Sequence, residues 1–449
     1  MVSDGKTEAS SAAVPATGKP AGATQAEEIR GRWSWTEPSI WTPRMLAALE
    51  RGVKGGKWFS VIDKVYERSH LFSAFQKVAG NSGAPGVDYV TIEQFEEHLL
   101  PNLDKLVEQL RGNTYVPQPI KRVWIAKEGS TEKRPLGVPT VRDRVVQTSL
   151  LRVIEPIFER DFAAQSYGFR PGRGCKDALR RVDQLLWNGY THVVDADLKS
   201  YFDTIPHDKL MARVAEKVSD GRVLELLRGY LTQGVLEDMK EWTPEAGSPQ
   251  GAVISPLLSN IYLDPLDHLM AQAGFELVRY ADDLVVLCRS AEDAQRALAL
   301  VQQWVETNGL VLHPTKTRIV DANRDGFDFL GYHFKAGKRW PRAKSLRKLK
   351  DTIRAKTKRA NGHSLSFVIA DVNRTLRGWF EYFKHSHPWL FPPLDGWVRR
   401  RLRSLLRKHL GLPGISRGGE DNHRWPNAFF RRQGLFDLTT AHGRRCQPA

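Results

Sequence analysis

Residues 279–287 read Arg-Tyr-Ala-Asp-Asp-Leu-Val-Val-Leu, so two adjacent aspartates lie between two short apolar runs. The runs at 275–280 and 284–288 have the composition of strands, which predicts Asp282 and Asp283 at the tip of a β-hairpin. Neighbouring carboxylates repel each other, and a hard divalent cation relieves that repulsion. Because an isolated Asp-Asp pair is more often a solvated turn, its meaning depends on the rest of the chain.

A second acidic motif, Asp195-Ala-Asp197, ends another apolar run. Side chains alternate along a strand, so Asp195 and Asp197 are expected on one face. A strand ending in Asp197 and a hairpin tipped by Asp282 and Asp283 can assemble three carboxylates. Such a cluster can hold two Mg²⁺ ions about 3.5–4 Å apart for phosphoryl or nucleotidyl transfer, with Mn²⁺ as a substitute. This chemistry alone leaves a polymerase and a nuclease both open.

The net charge of +16 is concentrated in the last quarter of the chain. Residues 335–449 contain 27 Lys and Arg against 7 Asp and Glu, whereas residues 1–334 contain 40 against 44. A nucleic acid or a membrane surface could attract such a block. Interleaved aromatic residues favour the nucleic acid: Trp379, Phe380, Tyr382, Phe383, Trp389, Trp397 and Trp425.

Length and composition exclude several classes of protein. At 449 residues, two or three domains are expected. The apolar runs are shorter than the roughly 20 residues of a membrane span, and the N-terminus lacks the hydrophobic core of a signal peptide. The three cysteines, Cys175, Cys288 and Cys446, lie far apart, which excludes a disulfide framework or a cysteine-rich zinc site. A reducing cytosol suits this composition.

Periodicity divides the chain into a mixed body and a helical, basic C-terminal part. Residues 1–58 are expected to be disordered or an extended arm, since 1–30 are rich in Ala, Gly, Ser and Thr. The body is predicted to have strands at 120–139, 191–198, 317–320 and 327–334. A helical pattern begins near Ser60, and further helices are predicted at 92–110, 142–159, 176–187, 207–217, 222–233, 251–273 and 291–308. After Ala343 a basic helix with the apolar stripe Leu346, Leu349 and Ile353 is predicted, followed by helices at 367–383 and 395–410.

Eight blocks of the sequence, in this order, resemble the reverse transcriptase–maturases encoded by bacterial group II introns. They are Gly83-Ala-Pro-Gly-Val-Asp88, the run from Arg134 to Gln147, Gln165-Ser-Tyr-Gly-Phe-Arg-Pro-Gly-Arg173, the run from Asp195 to His207, Ser248-Pro-Gln-Gly251 with the helix to Asn260, Tyr280-Ala-Asp-Asp283, the run from Gly309 to Thr317, and Phe329-Leu-Gly331. No single block is enough to indicate the family, but a chance occurrence of all eight blocks in this order is negligible.

This resemblance implies an α+β fold of the right-hand polymerase type. Fingers are then expected at 59–190, a palm at 191–342, a helical thumb or maturase domain at 343–395 and a basic DNA-binding segment at 396–449. The implied activity is RNA-directed DNA synthesis by two-metal nucleotidyl transfer, together with assistance to intron RNA splicing and mobility. The implied partners are intron RNA, an RNA template, target DNA or primer, and dNTPs, with no membrane, in the bacterial cytoplasm and at the nucleoid.

The resemblance also implies individual roles. Asp197, Asp282 and Asp283 would be catalytic and bind the metals, with the Leu198 carbonyl as a further ligand. The nucleotide-binding residues would be Lys127 and Arg134 on the triphosphate, Phe202 against a ribose 2′-OH, Gln250 on the nucleotide or template, and Lys316 as an acid near the pyrophosphate. Nucleic-acid contacts would come from Trp397, Arg399, Arg400, Arg401 and Arg403.

Two departures and two alternatives accompany the resemblance. Ala252 follows Pro-Gln-Gly where a second glycine is usual, a small change that should permit activity. No Cys/His-containing endonuclease domain is expected before Ala449, which implies insertion into single-stranded or nicked DNA. A splicing-only maturase without polymerase activity is one alternative reading. A domesticated or antiviral-defence reverse transcriptase is the other.

Overall fold

The computed structural model describes residues 25–126, 133–237, 240–360, 362–416 and 418–445. The helices are α1 Gln25–Arg32, α2 Pro43–Arg51, α3 Ile62–Tyr66, α4 Arg68–Gly80, α5 Ile92–Glu97, α6 Leu99–Arg111, α7 Val141–Glu159, α8 Cys175–Trp187, α9 Tyr201–Thr204, α10 His207–Ala215, α11 Gly221–Thr232, α12 Ser255–Gln272, α13 Ala291–Thr307, α14 Ala343–Lys356, α15 Leu365–Phe383, α16 Phe391–His409, α17 Glu420–Arg424, α18 Asn427–Arg432 and α19 Leu438–Arg445.

The strands are β1 Ile120–Ala126, β2 Lys133–Val138, β3 His192–Asp197, β4 Val235–Glu237, β5 Lys240–Trp242, β6 Glu276–Tyr280, β7 Asp283–Cys288, β8 Arg318–Asp321, β9 Phe327–Phe329, β10 Tyr332–Lys335 and β11 Lys338–Pro341. They form three sheets, with orders β2-β1-β4-β5, β6-β7-β3-β8 and β11-β10-β9. The mixed α and β character expected from the sequence is therefore confirmed.

The central sheet, β6-β7-β3-β8, is antiparallel throughout. Its inner strands are apolar and buried, as the runs in the sequence predicted. The hairpin of β6 and β7 is confirmed, although Asp282 lies in the turn and Asp283 is already the first residue of β7. Helices α12 and α13 cover one face, and their buried side chains share one core with those of β3 and β7.

The N-terminal part of the described chain differs from the expected extended or disordered arm. Residues 25–58 contain α1 and α2, and Trp33 and Trp41 are buried in the main core. The Trp41 indole Nε1 donates a hydrogen bond to the Arg152 carbonyl of α7 at 3.0 Å. The short helices escaped sequence analysis because long-range packing, not local periodicity, stabilises them. Residues 1–24 lie outside the described residues.

The basic C-terminal part has a hydrophobic core of its own. The predicted helices α14, α15 and α16 pack through apolar stripes, with Ile353, Val372, Leu376 and Leu402 all fully buried. The aromatic side chain of Phe383, at the end of α15, packs instead with the third sheet and α8. Helices α17 to α19 follow, although the sequence pattern did not predict them. None of the helices in the described ranges is long and apolar enough to cross a bilayer.

Helix α7 carries a carboxylate whose charge opposes folding. Burial, with the nearby charge of Glu159, raises the pKa of Glu155 to about 7. Because this pKa lies above that of the unfolded chain, the destabilising effect of Glu155 is absent at low pH and grows as the pH rises from about 4.5 to about 7. We therefore expect Glu155→Gln to stabilise the protein by up to about 3 kcal/mol at pH 8, but by less than about 1 kcal/mol at pH 5.

Urea unfolding at the two pH values measures this effect. The matched control is Glu96→Gln, since Glu96 is an exposed helical glutamate on α5. An equal effect of Glu155→Gln at pH 5 and pH 8 would show that the carboxyl group does not titrate in this window.

Candidate active site

The central sheet brings the predicted aspartates together at one end. Strand β3 pairs antiparallel with β7, and Asp197 lies directly opposite Asp283. On the other side of β7, Tyr280 of β6 pairs with Asp283. The turn that joins these two strands carries Asp282, which therefore lies next to the pair of Asp197 and Asp283. Strand β3 and the β6–β7 hairpin therefore bring Asp197, Asp282 and Asp283 to the same end of the sheet.

The turn between β6 and β7 is held by a close approach of the backbone. Ala281 adopts a left-handed conformation with φ of 57°, which non-glycine residues rarely occupy. The backbone of Gly168 lies directly against this turn, and a Cβ there would collide with the Ala281 nitrogen. A glycine at position 168 therefore permits the close approach between its own segment and the turn that carries the aspartates.

A buried arginine fixes the same turn from the other side. The Arg279 guanidinium is fully buried and bonds both oxygens of Asp267 on α12, at 2.8 and 2.5 Å. Its Nη1 also donates to the Ala281 carbonyl and to Asn260 Oδ1, each at 2.9 Å. Asn260 in turn donates to the Gly168 carbonyl at 2.9 Å. One polar network thereby joins three separate sequence blocks beneath the carboxylates.

Sequence analysis missed the roles of Arg279, Asp267 and Asn260. A usable signal existed for Arg279, because it lies between apolar residues of the buried strand β6, whereas Asp267 lies close to Asp264 and His268 on α12 and does not stand out. Charged residues at such positions are rarely buried unless they are paired. The pairing itself was not readable, since it joins residues 12 positions apart through tertiary structure.

The carboxylates at this end of the sheet are partly desolvated and repel one another. Desolvation by the surrounding protein, followed by the charges of Asp282 and Asp197, raises the pKa of Asp283 to about 6. Desolvation also raises the pKa of Asp282, and the charge of Asp197 adds to this, whereas Arg134 opposes it. The pKa of Asp195 is likewise raised to about 6, mainly by desolvation. A cation at this site would relieve all of these effects.

A lysine already supplies one positive charge there. Lys316 Nζ lies 2.6 Å from Asp197 Oδ2. Within the described residues, no group of three His, Cys, Asp or Glu side chains has the arrangement of a metal site. The donor set nevertheless fits Mg²⁺, because it consists of carboxylate oxygens, which hard cations prefer, and because Lys316 marks a position where positive charge is favourable.

A cavity of about 550 Å³ adjoins the carboxylates. Its lining includes the acidic residues Asp195, Asp197 and Asp283 and the basic residues Lys316, Arg318, Arg342 and Lys344. Lys316 pairs with Asp197 and Arg318 with Asp195, whereas Arg342 and Lys344 come from the start of the C-terminal helical part. The cavity therefore combines carboxylates that suit a cation with basic groups that suit phosphate.

The predicted nucleotide-binding residues lie on several elements around this end of the sheet. Arg134 is exposed on β2, and its charge acts on Asp282. Phe202 is half-buried on α9, and its carbonyl accepts a hydrogen bond from the Ser248 amide at 2.6 Å. The Gln250 carbonyl accepts one from the Gly137 amide of β2, also at 2.6 Å. Lys127 lies outside the described residues.

The predicted metal ligand Leu198 lies just beyond β3. It forms an antiparallel bridge with Leu312, and the neighbouring Asp197 carbonyl accepts a hydrogen bond from the His313 amide at 2.7 Å. The segment that carries Lys316 is thus tied to the end of β3. This contact explains how Lys316 reaches Asp197.

The five predicted nucleic-acid contacts on α16 differ in exposure. Arg400 is exposed, whereas Arg403 is 6% exposed and donates to the Trp425 carbonyl at 3.0 Å. Arg399 pairs with Asp437 at 3.1 Å. The others also have protein partners: Arg401 donates to Thr357, and Trp397 lies beneath Arg354. Arg400 is therefore the member of this set that is turned to solvent.

Carboxylates at the end of a four-stranded antiparallel sheet, with a basic strand nearby and a basic helical part beyond, define the palm of a polymerase. Residues 125–334 match the family described as reverse transcriptase (RNA-dependent DNA polymerase). Residues 346–417 match the group II intron, maturase-specific domain. Both matches include the elements described above.

Two relatives extend the comparison. The chain is 33% identical over 341 residues to protein YkfC of Escherichia coli, which covers 67% of this chain and 85% of YkfC. It is also 33% identical over 250 residues to the group II intron-encoded protein LtrA of Lactococcus lactis subsp. cremoris, covering 54% of this chain and 41% of LtrA. The chain thus spans less than half of LtrA. It belongs to the family of group II intron-encoded reverse transcriptase–maturases.

Proposed function

We propose that this protein is an RNA-directed DNA polymerase of a group II intron, and that it also binds the intron RNA and assists its splicing and mobility. The observation that carries the proposal is the opposition of Asp197 and Asp283 on paired strands, with Asp282 in the adjoining turn. The matched maturase-specific domain supports the second activity. From residue 59 onward, the proposed domain limits are those predicted from the sequence.

Asp197, Asp282 and Asp283, with the Leu198 carbonyl, are the proposed ligands of two Mg²⁺ ions. Bound there, the ions would activate the primer hydroxyl and neutralise the leaving pyrophosphate. Arg134, and Lys127 beyond the described residues, would bind the triphosphate. Lys316 would give up its pairing with Asp197 and transfer a proton from Nζ to the pyrophosphate.

Phe202 and Gln250 would control which nucleotide enters. Phe202 lies beside the turn at 248–251, whose backbone is fixed on β2 through Gly137. A rigid aromatic ring at this point leaves little room for a 2′-hydroxyl, which favours dNTPs over NTPs. Gln250 would contact the nucleotide or the template from the same turn.

The proposal is tested by primer extension with the full chain, a DNA primer and an RNA template. We expect a DNA product that requires dNTPs and Mg²⁺ and disappears with a chelator. Absence of product under these conditions would contradict the polymerase and leave the splicing-only maturase, for which RNA binding without extension is expected.

A domesticated or antiviral-defence role would use the same palm, so primer extension does not separate it from a mobile intron. The DNA that flanks the gene does separate them. Folded intron RNA domains around the reading frame are expected for a mobile intron, whereas their absence would support domestication.

Arg400 and Arg403 form a matched pair for testing the basic helix α16. We expect Arg400→Gln to reduce the slope of log affinity against log salt concentration by about 0.9 on duplex DNA, because one contact between an arginine and a DNA phosphate is lost. Stability should not change, since the Arg400 side chain is exposed. Arg403→Gln should instead lower stability by about 1–3 kcal/mol, since Arg403 is itself buried and the Trp425 carbonyl and Asn427 Oδ1 lose their donor. Filter binding at several salt concentrations and thermal unfolding measure the two effects. An unchanged slope for Arg400→Gln would remove it from the interface.

A further inference from the structure

Trp187, the last residue of α8, is 91% exposed. The indole adjoins a cavity of about 490 Å³, which we call the Trp187 cavity, between the end of α8, the β10–β11 hairpin and residues 385–388. Neither the carboxylate site nor the proposed function uses this surface. A large aromatic face that is exposed beside a cavity is a common feature of ligand-binding surfaces.

The Trp187 cavity lies at the opposite end of the central sheet from the carboxylates. Thr191, which lines it, directly precedes β3, whereas Asp197 ends that strand. Six residues of strand separate the two, or roughly 20 Å at about 3.3 Å per residue. A ligand in this cavity would therefore leave the carboxylate site free.

Two buried polar groups in the Trp187 cavity lack partners. Ser386 is 2% exposed, and among the described residues its hydroxyl makes no hydrogen bond. The Nδ1 atom of the neighbouring His387 is also buried and, among the described residues, has no hydrogen-bond partner. Both residues line the cavity. Buried polar groups are nearly always hydrogen-bonded, so this pair indicates a ligand that supplies both a donor and an acceptor.

The charge at the rim indicates an anionic ligand. Lys335 and Lys338, at the tip of the β10–β11 hairpin, are both exposed and line the cavity. The one carboxylate in the lining, Asp183, is neutralised by Arg339 at 2.6 Å. The two lysines therefore leave a net positive rim next to the Trp187 ring.

We propose that the Trp187 cavity binds one unpaired nucleotide of a single-stranded nucleic acid while a duplex occupies the carboxylate site. The base stacks on Trp187, the Ser386 hydroxyl and His387 bond its polar edge or its sugar, and Lys335 and Lys338 contact the flanking phosphates. Stacking on an aromatic side chain with phosphate contacts at its side is the general mode of single-strand recognition. The volume accommodates one nucleotide, and no covalent step is involved.

The test uses the full chain, saturated with an RNA–DNA primer–template so that the carboxylate site is filled. A fluorescein-labelled eight-nucleotide RNA is then titrated and its anisotropy measured. We expect Trp187→Ala to weaken binding roughly tenfold, as loss of one stacked base does. The matched control is Phe59→Ala, which removes another exposed aromatic ring, 65% exposed, and should leave affinity unchanged.

Two further variants separate binding from folding. The double variant Lys335→Gln and Lys338→Gln should reduce the salt slope by about 1.4, as loss of two single-strand phosphate contacts predicts, whereas Lys105→Gln on α6 should not. Ser386→Ala should weaken binding several-fold and leave the melting temperature unchanged, since the hydroxyl has no protein partner to lose. A Ser386→Ala variant with normal affinity would count against the site.

The remaining outcomes are equally decisive. Equal affinities of Trp187→Ala and Phe59→Ala overturn the proposal. Binding of AMP alone as tightly as the strand would identify a small-molecule site and overturn it too. The same titration with an eight-nucleotide DNA of the same sequence shows whether ribose or deoxyribose is preferred. Binding of either strand that depends on Trp187 supports the site. Primer extension by Trp187→Ala should stay normal, so that the result is independent of the polymerase proposal.

Discussion

Replacing Asp282 with asparagine is expected to lower primer extension by at least about 10³-fold. The amide has the shape of the carboxylate but not its charge, so the turn should be preserved while a metal ligand is lost. RNA binding should stay near normal, because the basic helices that carry the positive charge lie outside this turn. Rates of extension and an equilibrium RNA-binding assay, made on the same preparation, measure the two effects.

Asp328 offers a matched control for this variant. It lines the cavity that adjoins Asp197 and Asp283, but its carboxylate pairs with His333 at 2.8 Å. Asp328→Asn removes one carboxylate charge from that cavity, and we expect it to lower extension by less than about tenfold, because no proposed metal ligand is lost and only the electrostatic field at the site changes. If both variants were equally inactive, general electrostatics and not a ligand role would explain Asp282. Joint loss of extension and RNA binding in Asp282→Asn would indicate a structural role.

The second large effect is expected at the buried pair of Arg279 and Asp267. Asp267→Ala leaves a fully buried guanidinium without its carboxylate, which typically costs about 3–5 kcal/mol of unfolding free energy. We expect a corresponding shift in the urea midpoint and loss of extension, since the Arg279 contact with the Ala281 carbonyl holds the turn of the aspartates.

A double variant separates stability from positioning. Replacing Asp267 with Leu and Arg279 with Met removes both charges and fills similar volume, which is often neutral or stabilising for a buried pair. We expect stability to recover while extension stays low, because no donor then reaches the Ala281 carbonyl. Full recovery of extension would show that the network contributes packing alone.

Sequence patterns predicted the strands of the central sheet well because their signals are local. Strand β3 and the β6–β7 hairpin are short apolar runs that end in aspartates, and alternation along a strand is enough to place Asp195 and Asp197 on one face. The helices of the basic part were also predicted from their apolar stripes, with ends displaced by a few residues at α15 and α16. Helix ends depend on capping contacts, which periodicity does not contain.

The features that sequence analysis missed depend on contacts between distant segments. Arg279 and Asp267 look like surface charges until the fold brings them together. Arg400 and Arg403 are three residues apart on one helix and have the same chemistry, yet one faces solvent and the other is enclosed by residues 425–427. The short helices at 25–58 depend on Trp33 and Trp41 reaching a core formed by later parts of the chain.

The burial of Trp41 against α7 has a practical consequence for engineering. A fragment cut to the matched region, 125–334, would lose side chains that fill the core beneath the central sheet. Such a fragment should aggregate when expressed. A tag or fusion partner is therefore better attached ahead of residue 25 than in place of the two tryptophan-bearing helices.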